Sequence, residues 1–388
     1  MNRAVAAIVF AQLLGTSLWF SANAAAPDLA RAWHMTSADL GVLTNAVQLG
    51  FIGGTLLFAL SGLADRFRAS RIVLVCSLLG ALFNAGFALL ASNLTQATLF
   101  RFGVGLSLAG IYPLGMKLIV SWVADKAGAA LGLLVGMLTL GTALPHGVRA
   151  LGMGLNWQAV VLTSSALAVM GGLLVFRVGE GPHLKLQTAK NAPGWGSVFS
   201  VFRIEGFRAS AFGYFGHMWE LYAFWTIVPL LLAQAIEGGG ALGVSAWSFF
   251  VIGIGALGCI AGGRFSQRFG SARIAAGALL VSGSMCALFP LLIHAPTWLV
   301  IVALLIWGTA VVADSPQFSA MSARNCPPAL VGSALAIQNS IGFFISVCAI
   351  ALATASFPAL GAKVAWLLVP GPLLGLVALS PLIGKKEP

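Results

Sequence analysis

The 388-residue chain is 59% hydrophobic and only 8% charged, with a mean hydropathy of +0.96, which leaves too little polar surface for a water-soluble protein of this size. A membrane span needs roughly 20 apolar residues, so twelve spans with short loops account for nearly the whole length and leave no room for a soluble catalytic domain. The formal charge of +11 would suit nucleic acid in a soluble chain, but its confinement to loops on one side excludes that reading.

In chain order the apolar segments fall at 5–25, 41–62, 72–91, 96–120, 128–150, 156–177, 207–234, 243–263, 273–293, 298–320, 330–352 and 362–383. The first belongs to MNRAVAAIVFAQLLGTSLWFSANA, whose basic start, apolar run and small residues also describe a signal peptide. Trp19, Phe20 and Asn23 suit a first transmembrane helix equally well, and its removal would put the two chain ends on opposite sides, so it is read as a retained helix. The longest polar break, Val178 to Glu205, contains Lys185, Lys190 and the run NAPGWG. It divides the chain into a six-helix bundle at 1–177, a cytoplasmic linker at 178–205 and a second six-helix bundle at 206–388.

Of the Lys and Arg residues, Arg31 and Lys363 fall in the loops of one side, and Arg101, Lys117 and Arg149 lie within or at the ends of spans; all the others lie on the opposite side. This positive-inside pattern predicts a multi-pass protein of a bacterial inner membrane with both termini cytoplasmic. Cys76, Cys259, Cys286, Cys326 and Cys348 sit mostly in apolar stretches with no ligand spacing, which indicates neither a metal site nor a disulfide framework.

The two parts repeat one another at an offset of 202 residues. Leu40 to Val42 returns as Leu242 to Val244, and SGLADRFRASRI from Ser61 corresponds to GRFSQRFGSARI from Gly263. Pro113 and Pro316 lie 203 apart, each late in the fourth helix of its part. Paired parallel units of this kind are the architecture of an alternating-access carrier, with its solute held between them at mid-depth.

The loop GLADRFRASR, Gly62 to Arg71, resembles the Gly, acidic and basic signature of the major facilitator superfamily, and the resemblance extends over essentially the full length. It implies an all-α membrane fold of twelve transmembrane helices in two pseudo-symmetric bundles. It also implies that Gly62, Asp65, Arg66 and Arg71 form a conformational latch. The second copy keeps Arg268 and Arg273 but has Gln267 where Asp65 stands. RFGVG, Arg101 to Gly105, resembles the family's second signature. The antiporter signature of helix five is only partly present: Gly132 and Gly141 match, but Pro145-His146 and Arg149-Ala150 replace the later glycine pairs. Helix two offers Asn45 and Gln48 and no arginine, so the nitrate specificity of other superfamily members is not carried over.

Charges within spans cost roughly 2.5 kcal/mol or more each, so they face a cavity or a partner. His146 and Arg149 share a face of helix five, either as an anion clamp or with Arg149 snorkelling to the interface beyond Pro145. Lys117, about one turn after Pro113, either binds an anion, forms a charge pair with helix eleven or a carboxylate across the cavity, or snorkels. Arg101 is read as structural, holding helix four to its neighbours. In HMWELYAFW, His217 and Glu220 share a face, while Trp219, Tyr222 and Trp225 are cavity lining or packing. A buried carboxylate that gains a proton in one state and loses it in the other couples transport to a proton gradient. Glu220 and Asp314 are the candidates, with His217 as relay. For Asp314 the alternative is a charge pair with Arg324 or with nearby basic loops. Trp19, Gln48, Gln338 and Asn339 complete the lining candidates, the last two equally readable as glue between helices.

Cations in the first part and acids in the second point to an anionic or zwitterionic solute imported with protons. The expected partners are that solute, protons and the bilayer, for a monomer without nucleic acid, metal or cofactor. The alternative is a proton-driven efflux antiporter for drugs or a metabolite. A membrane sensor lacks an attached signalling domain, and an intramembrane enzyme lacks a His cluster or a Ser and Lys pair at cavity depth.

Overall fold

The computed structural model describes residues 2–123, 127–152, 155–184, 199–236, 240–327 and 330–384. Lys185, Lys190 and the NAPGWG run of the expected linker lie outside the described residues. Helices α1 (Arg3–Thr16), α2 (Ser21–Trp33), α3 (Ser37–Ser61), α4 (Leu63–Arg66), α5 (Ala69–Leu90), α6 (Leu94–Leu108), α7 (Tyr112–Trp122), α8 (Ala127–Leu151) and α9 (Trp157–Val178) come first. They are followed by α10 (Glu205–Ala235), α11 (Gly240–Gly253), α12 (Gly255–Phe269), α13 (Ser271–Leu292), α14 (Thr297–Ala313), α15 (Ser315–Arg324), α16 (Val331–Leu360) and α17 (Pro370–Ile383).

Polar side chains at the segment ends start several of these helices. Thr36 and Asp39 form a reciprocal capping box on α3, while Asn93 and Asn156 accept from the amides of Gln96 and Ala159 at the starts of α6 and α9. Among the described residues, eleven helical stretches are long and apolar enough to cross a membrane. The last of them, Val331–Ile383, has 53 residues, which as one straight helix would measure roughly 80 Å against a hydrocarbon core of about 30 Å. It is interrupted at Gly361, whose φ of 53° suits glycine, by the 3-10 turn Gly361–Leu368. Outward faces carry exposed apolar side chains such as Leu82, Leu99, Leu257, Leu291 and Val377, as lipid-solvated surfaces require.

Among the described residues, four stretches are broken near their middles, between α1 and α2, α6 and α7, α14 and α15 and, at Ile254, α11 and α12. Pro113 and Pro316 stand in the first turn after the second and third breaks, where the missing N–H leaves a carbonyl four residues earlier without its helical donor. The carbonyl of Val312, four residues before Pro316, accepts from Cys259 Sγ at 3.3 Å instead.

Helix α3 packs on α6, α5 on α9, and α1 between α8 and α9; α10 packs on α16 and α17, and α13 on α14. Contacts between these two groups run through α3 with α16 and through α8 with α11 and α12. Helices α8 and α12 stay together from Gly136 beside Ala256 towards Gly132 beside Gly263 at one end. The α3–α16 and α8–α11 contacts close the opposite end of the molecule, where α2 gives way to α3 and α16 ends. There Ser37 Oγ donates to the Thr354 carbonyl at 2.9 Å, and Gly147 lies against the ring of Phe249.

Candidate solute site

At mid-depth, α7, α8, α10, α15 and α16 surround a chamber of about 80 Å³. Its wall includes Tyr112, Tyr214, Tyr222, Trp225, Asn339 and Phe343. All three tyrosines of the chain are in this wall. Towards the end carrying the 62–68 turn, the chamber adjoins a larger cavity of about 500 Å³. Met116, Val135, Ser319 and Leu335 line both spaces. Lys117 and His183 stand on the wall of the larger one, and Lys117 Nζ also donates to the Ala64 carbonyl at 2.6 Å.

Aromatic rings roof the chamber on its closed side. Trp19 stacks on Tyr222 and Phe343 with centroids 5.6 and 5.8 Å apart, and Phe51 meets Phe343 at 4.4 Å. The break between α1 and α2 delivers Trp19 and Phe20 into this roof. Trp19 Nε1 donates to Gln48 Oε1 at 3.2 Å, and Gln48 Nε2 reaches Ser346 Oγ at 3.5 Å. Asn45 Nδ2 donates to the Val347 carbonyl at 3.0 Å. The roof is therefore a stack of rings held by polar links from α3 to α16.

The buried arginine of α6 serves that break. Arg101 is fully buried and donates to the Leu18 carbonyl at 3.1 Å, the Trp19 carbonyl, Ser21 Oγ at 3.0 Å and Asn84 Oδ1 at 2.9 Å. Two of these acceptors are carbonyls in the break between α1 and α2.

The other ionisable residues separate into distinct settings. Arg149 pairs with Asp28 of α2, which also pairs with Arg31; His146 is buried on the same face, its Nε2 without a hydrogen-bond partner. Both stand near the closed end of α8 and outside the chamber wall. His217 Nδ1 lies 2.8 Å from Asp314 Oδ1, with both side chains buried. Glu220 shares the α10 face but turns to other partners: Trp307 Nε1 at 2.6 Å, Ser282 Oγ at 2.8 Å and Cys286 Sγ at 3.3 Å. Trp219 points elsewhere, donating to the Leu367 carbonyl at 2.9 Å. Gln338 is buried with Oε1 unpartnered, and its neighbour Asn339 faces the chamber.

In the 62–71 loop, Gly62 caps α3 with a φ of 64°, and Arg66 and Arg71 are exposed. The side chain of Asp65 lies outside the described residues. Ser70 gives its amide (3.0 Å) and hydroxyl (2.7 Å) to Glu180, just beyond α9. Partial burial raises the Glu180 pKa, but the Ser70 bonds and the nearby Arg68 charge outweigh it and leave the carboxyl below its ordinary value.

Tyr112, Tyr214, Ser315, Phe51 and Phe343 are chamber or roof residues that the sequence reading did not single out. A signal for the tyrosines was present, because a phenol in mid-span needs a polar partner or a wet cavity. Asp28 carried no such signal, lying just after the first apolar segment among alanines.

Helices long enough to cross a bilayer, apolar outside and gathered around a small polar-aromatic chamber, define a multi-pass membrane protein with an internal cavity. The chain belongs to the Major Facilitator Superfamily of transporters, whose family model matches residues 8–351. It is 31% identical to the niacin transporter NiaP of Acinetobacter baylyi over 168 residues, 40% of this chain and 36% of that protein. It is 24% identical to the putative niacin/nicotinamide transporter NiaP of Bacillus subtilis over 182 residues, 45% of this chain and 44% of the relative. Solute carrier family 22 member 6 of Pseudopleuronectes americanus is 32% identical over 106 residues, 27% of this chain and 18% of its own length. The aligned stretches thus span less than half of each of these relatives.

Proposed function

We propose that this chain imports a small anionic solute with a flat aromatic ring, together with protons, by alternating access between two six-helix halves that cross a bacterial inner membrane twelve times. The observation that carries the reading is the aromatic chamber, closed by the α3 and α16 contacts at one end and adjoining the larger cavity at the other. Tyr112, Tyr214, Tyr222, Trp225 and Phe343 offer faces on which a planar ring stacks, and the hydroxyls with Asn339 offer polar contacts at its rim. Lys117, on the wall of the adjoining cavity, supplies a cation for a carboxylate as the solute leaves. The positive-inside charge pattern supports a cytoplasmic position for that cavity, and on this reading the carrier faces inward. The names of the two NiaP relatives support an aromatic acid and make niacin the first probe.

In this reading the solute and a proton enter from the periplasm when the α3 and α16 contacts part. The halves then rock, and both leave past Lys117. The protein acts as a monomer, and the loop holding Gly62, Asp65, Arg66 and Arg71 latches the cytoplasmic end in the opposite state.

The test is uptake of labelled niacin into proteoliposomes under an imposed pH gradient, acid outside. Accumulation that a protonophore abolishes, and that Tyr222→Ala lowers tenfold or more, supports the reading. Uptake indifferent to the gradient refutes the coupling, and proton release driven by a cationic drug replaces import with efflux.

A further inference from the structure

Two acids are buried among the later helices, and their settings differ in kind. Glu220 is closed in by Trp307, Ser282 and Cys286, three donors on α13 and α14, and neither it nor they line the chamber. The earlier helices hold a comparable knot, in which Ser21, Asn84 and Arg101 join α2, α5 and α6. The 202-residue offset carries Asn84 onto Cys286. Both knots tie the first, third and fourth spans of their part, which marks Glu220 as a tie between helices.

Asp314 stands at the joint between α14 and α15, and its partner is an imidazole. Its chain neighbour Ser315 lines the chamber, as does Tyr214, whose ring centroid is 6.0 Å from that of His217. His217 Nε2 has no partner, and the Nδ1 to Oδ1 contact with Asp314 at 2.8 Å is an ion-pair approach outside hydrogen-bond alignment. From the joint, α15 runs along the larger cavity, presenting Pro316, Ser319, Ala320 and Ala323 to it. The groups facing the pair are Tyr214 on α10 and Phe318 on α15, with Glu220 one turn along α10 and Cys259 on α12 within the field of Asp314. The imidazole of His217 is in direct contact with the Asp314 carboxyl, Nδ1 lying 2.8 Å from Oδ1.

A His and Asp pair holding one shared proton is net neutral; without it, the pair carries one negative charge in a medium where isolated charge is costly. The pair therefore keeps its proton while sealed and surrenders it when cavity water reaches the joint. We propose that His217 and Asp314 together are the proton-carrying site, loaded with one proton per cycle, and that Glu220 is a fixed tie. The proposal rests on the proton-coupled import reading above. The proton arrives from water, is held between Nδ1 and Oδ1, and departs to water. Its loss leaves the charge at the α14 and α15 joint, which biases the wall of the cavity towards the open arrangement.

The experiment follows the carboxyl C=O stretch of purified protein by infrared spectroscopy during a pH titration. In parallel, niacin-driven proton movement and niacin counterflow are measured in proteoliposomes. A titrating band that Asp314→Asn removes, His217→Gln moves in midpoint, and Glu220→Gln retains is the expected result; Asp314→Glu should restore a titrating band. In proteoliposomes Asp314→Asn abolishes proton movement and keeps counterflow. A band lost in Glu220→Gln and kept in Asp314→Asn, or equal proton movement in wild type and Asp314→Asn, overturns the assignment. If the band behaves as expected but niacin moves no proton in wild type, the solute reading fails and the proton site stands.

Discussion

Replacing Arg101 by Ala removes a buried guanidinium that donates to the carbonyls of Leu18 and Trp19, to Ser21 and to Asn84. The side chain is fully buried between α2, α5 and α6, so the groups it leaves behind lie away from bulk solvent. Interhelical hydrogen bonds in membranes average roughly 0.6 kcal/mol, so losing all of these sets a floor of about 2 kcal/mol. At roughly 1.5 kcal/mol, the low end for bonds to a charged group, the loss reaches about 6 kcal/mol. The guanidinium also lies over Phe87, its carbon 5.9 Å from the ring centroid, a contact that adds to the loss. The assay is thermal unfolding of the detergent-purified protein, followed by intrinsic tryptophan emission. Arg101→Ala should melt several degrees lower, and Arg101→Lys should recover only part because one ammonium cannot span both the carbonyls and Asn84. An unchanged melting temperature for Arg101→Ala would refute the view that this side chain braces the break between α1 and α2.

Two further outcomes follow from named contacts. A Cβ built at Gly41 would lie 3.0 Å from Thr354 Cβ, closer than the roughly 3.5–4.5 Å of disulfides, so a Gly41→Cys and Thr354→Cys pair should cross-link under mild oxidant once α3 and α16 give by about half an ångström. The linked protein should stop transporting and recover on reduction; full uptake while linked would exclude this contact as a gate. For Glu180, a folded-state pKa below the unfolded one means its bonds to Ser70 stabilise the protein above the unfolded pKa and cease to do so as pH falls through the folded pKa. Glu180→Gln should therefore lower the melting temperature slightly at neutral pH, with the difference closing on acidification, and a difference that widens in acid would reverse the sign.

Much of the scaffold is visible in hydropathy alone, because lipid demands long apolar runs whatever their neighbours. The mid-span prolines also mark real discontinuities at residues 109–111 and at Asp314, since a missing N–H is a local property. Partnerships are another matter. Spacing put His217 and Glu220 on one face of α10, yet one turns to Asp314 and the other to Trp307, Ser282 and Cys286. Which way each points depends on rotamers and on helices more than sixty residues away, which no local pattern encodes. His146 and Arg149 likewise read as a pair, whereas the charge that meets Arg149 is Asp28, on α2. Polarity and depth alone suggested Trp19 and Gln48 as lining; both are buried in the roof, outside the chamber wall, and their direct bond and its extension to Ser346 depend on the packing of α3 on α16.

The interruptions near residues 17–20, 109–111 and 314 bear on how the surrounding bilayer takes part. Each divides a long rod into two short ones joined where the ladder of main-chain bonds is incomplete. A wall of short rods bends at its middle more readily than a continuous helix, so in the proposed cycle part of the change in the solute space falls at mid-depth, away from the headgroups that hold the helix ends. Deuterium exchange should consequently enter the protein at mid-membrane, at these joints, before it reaches the continuous helices α5 and α9 behind them.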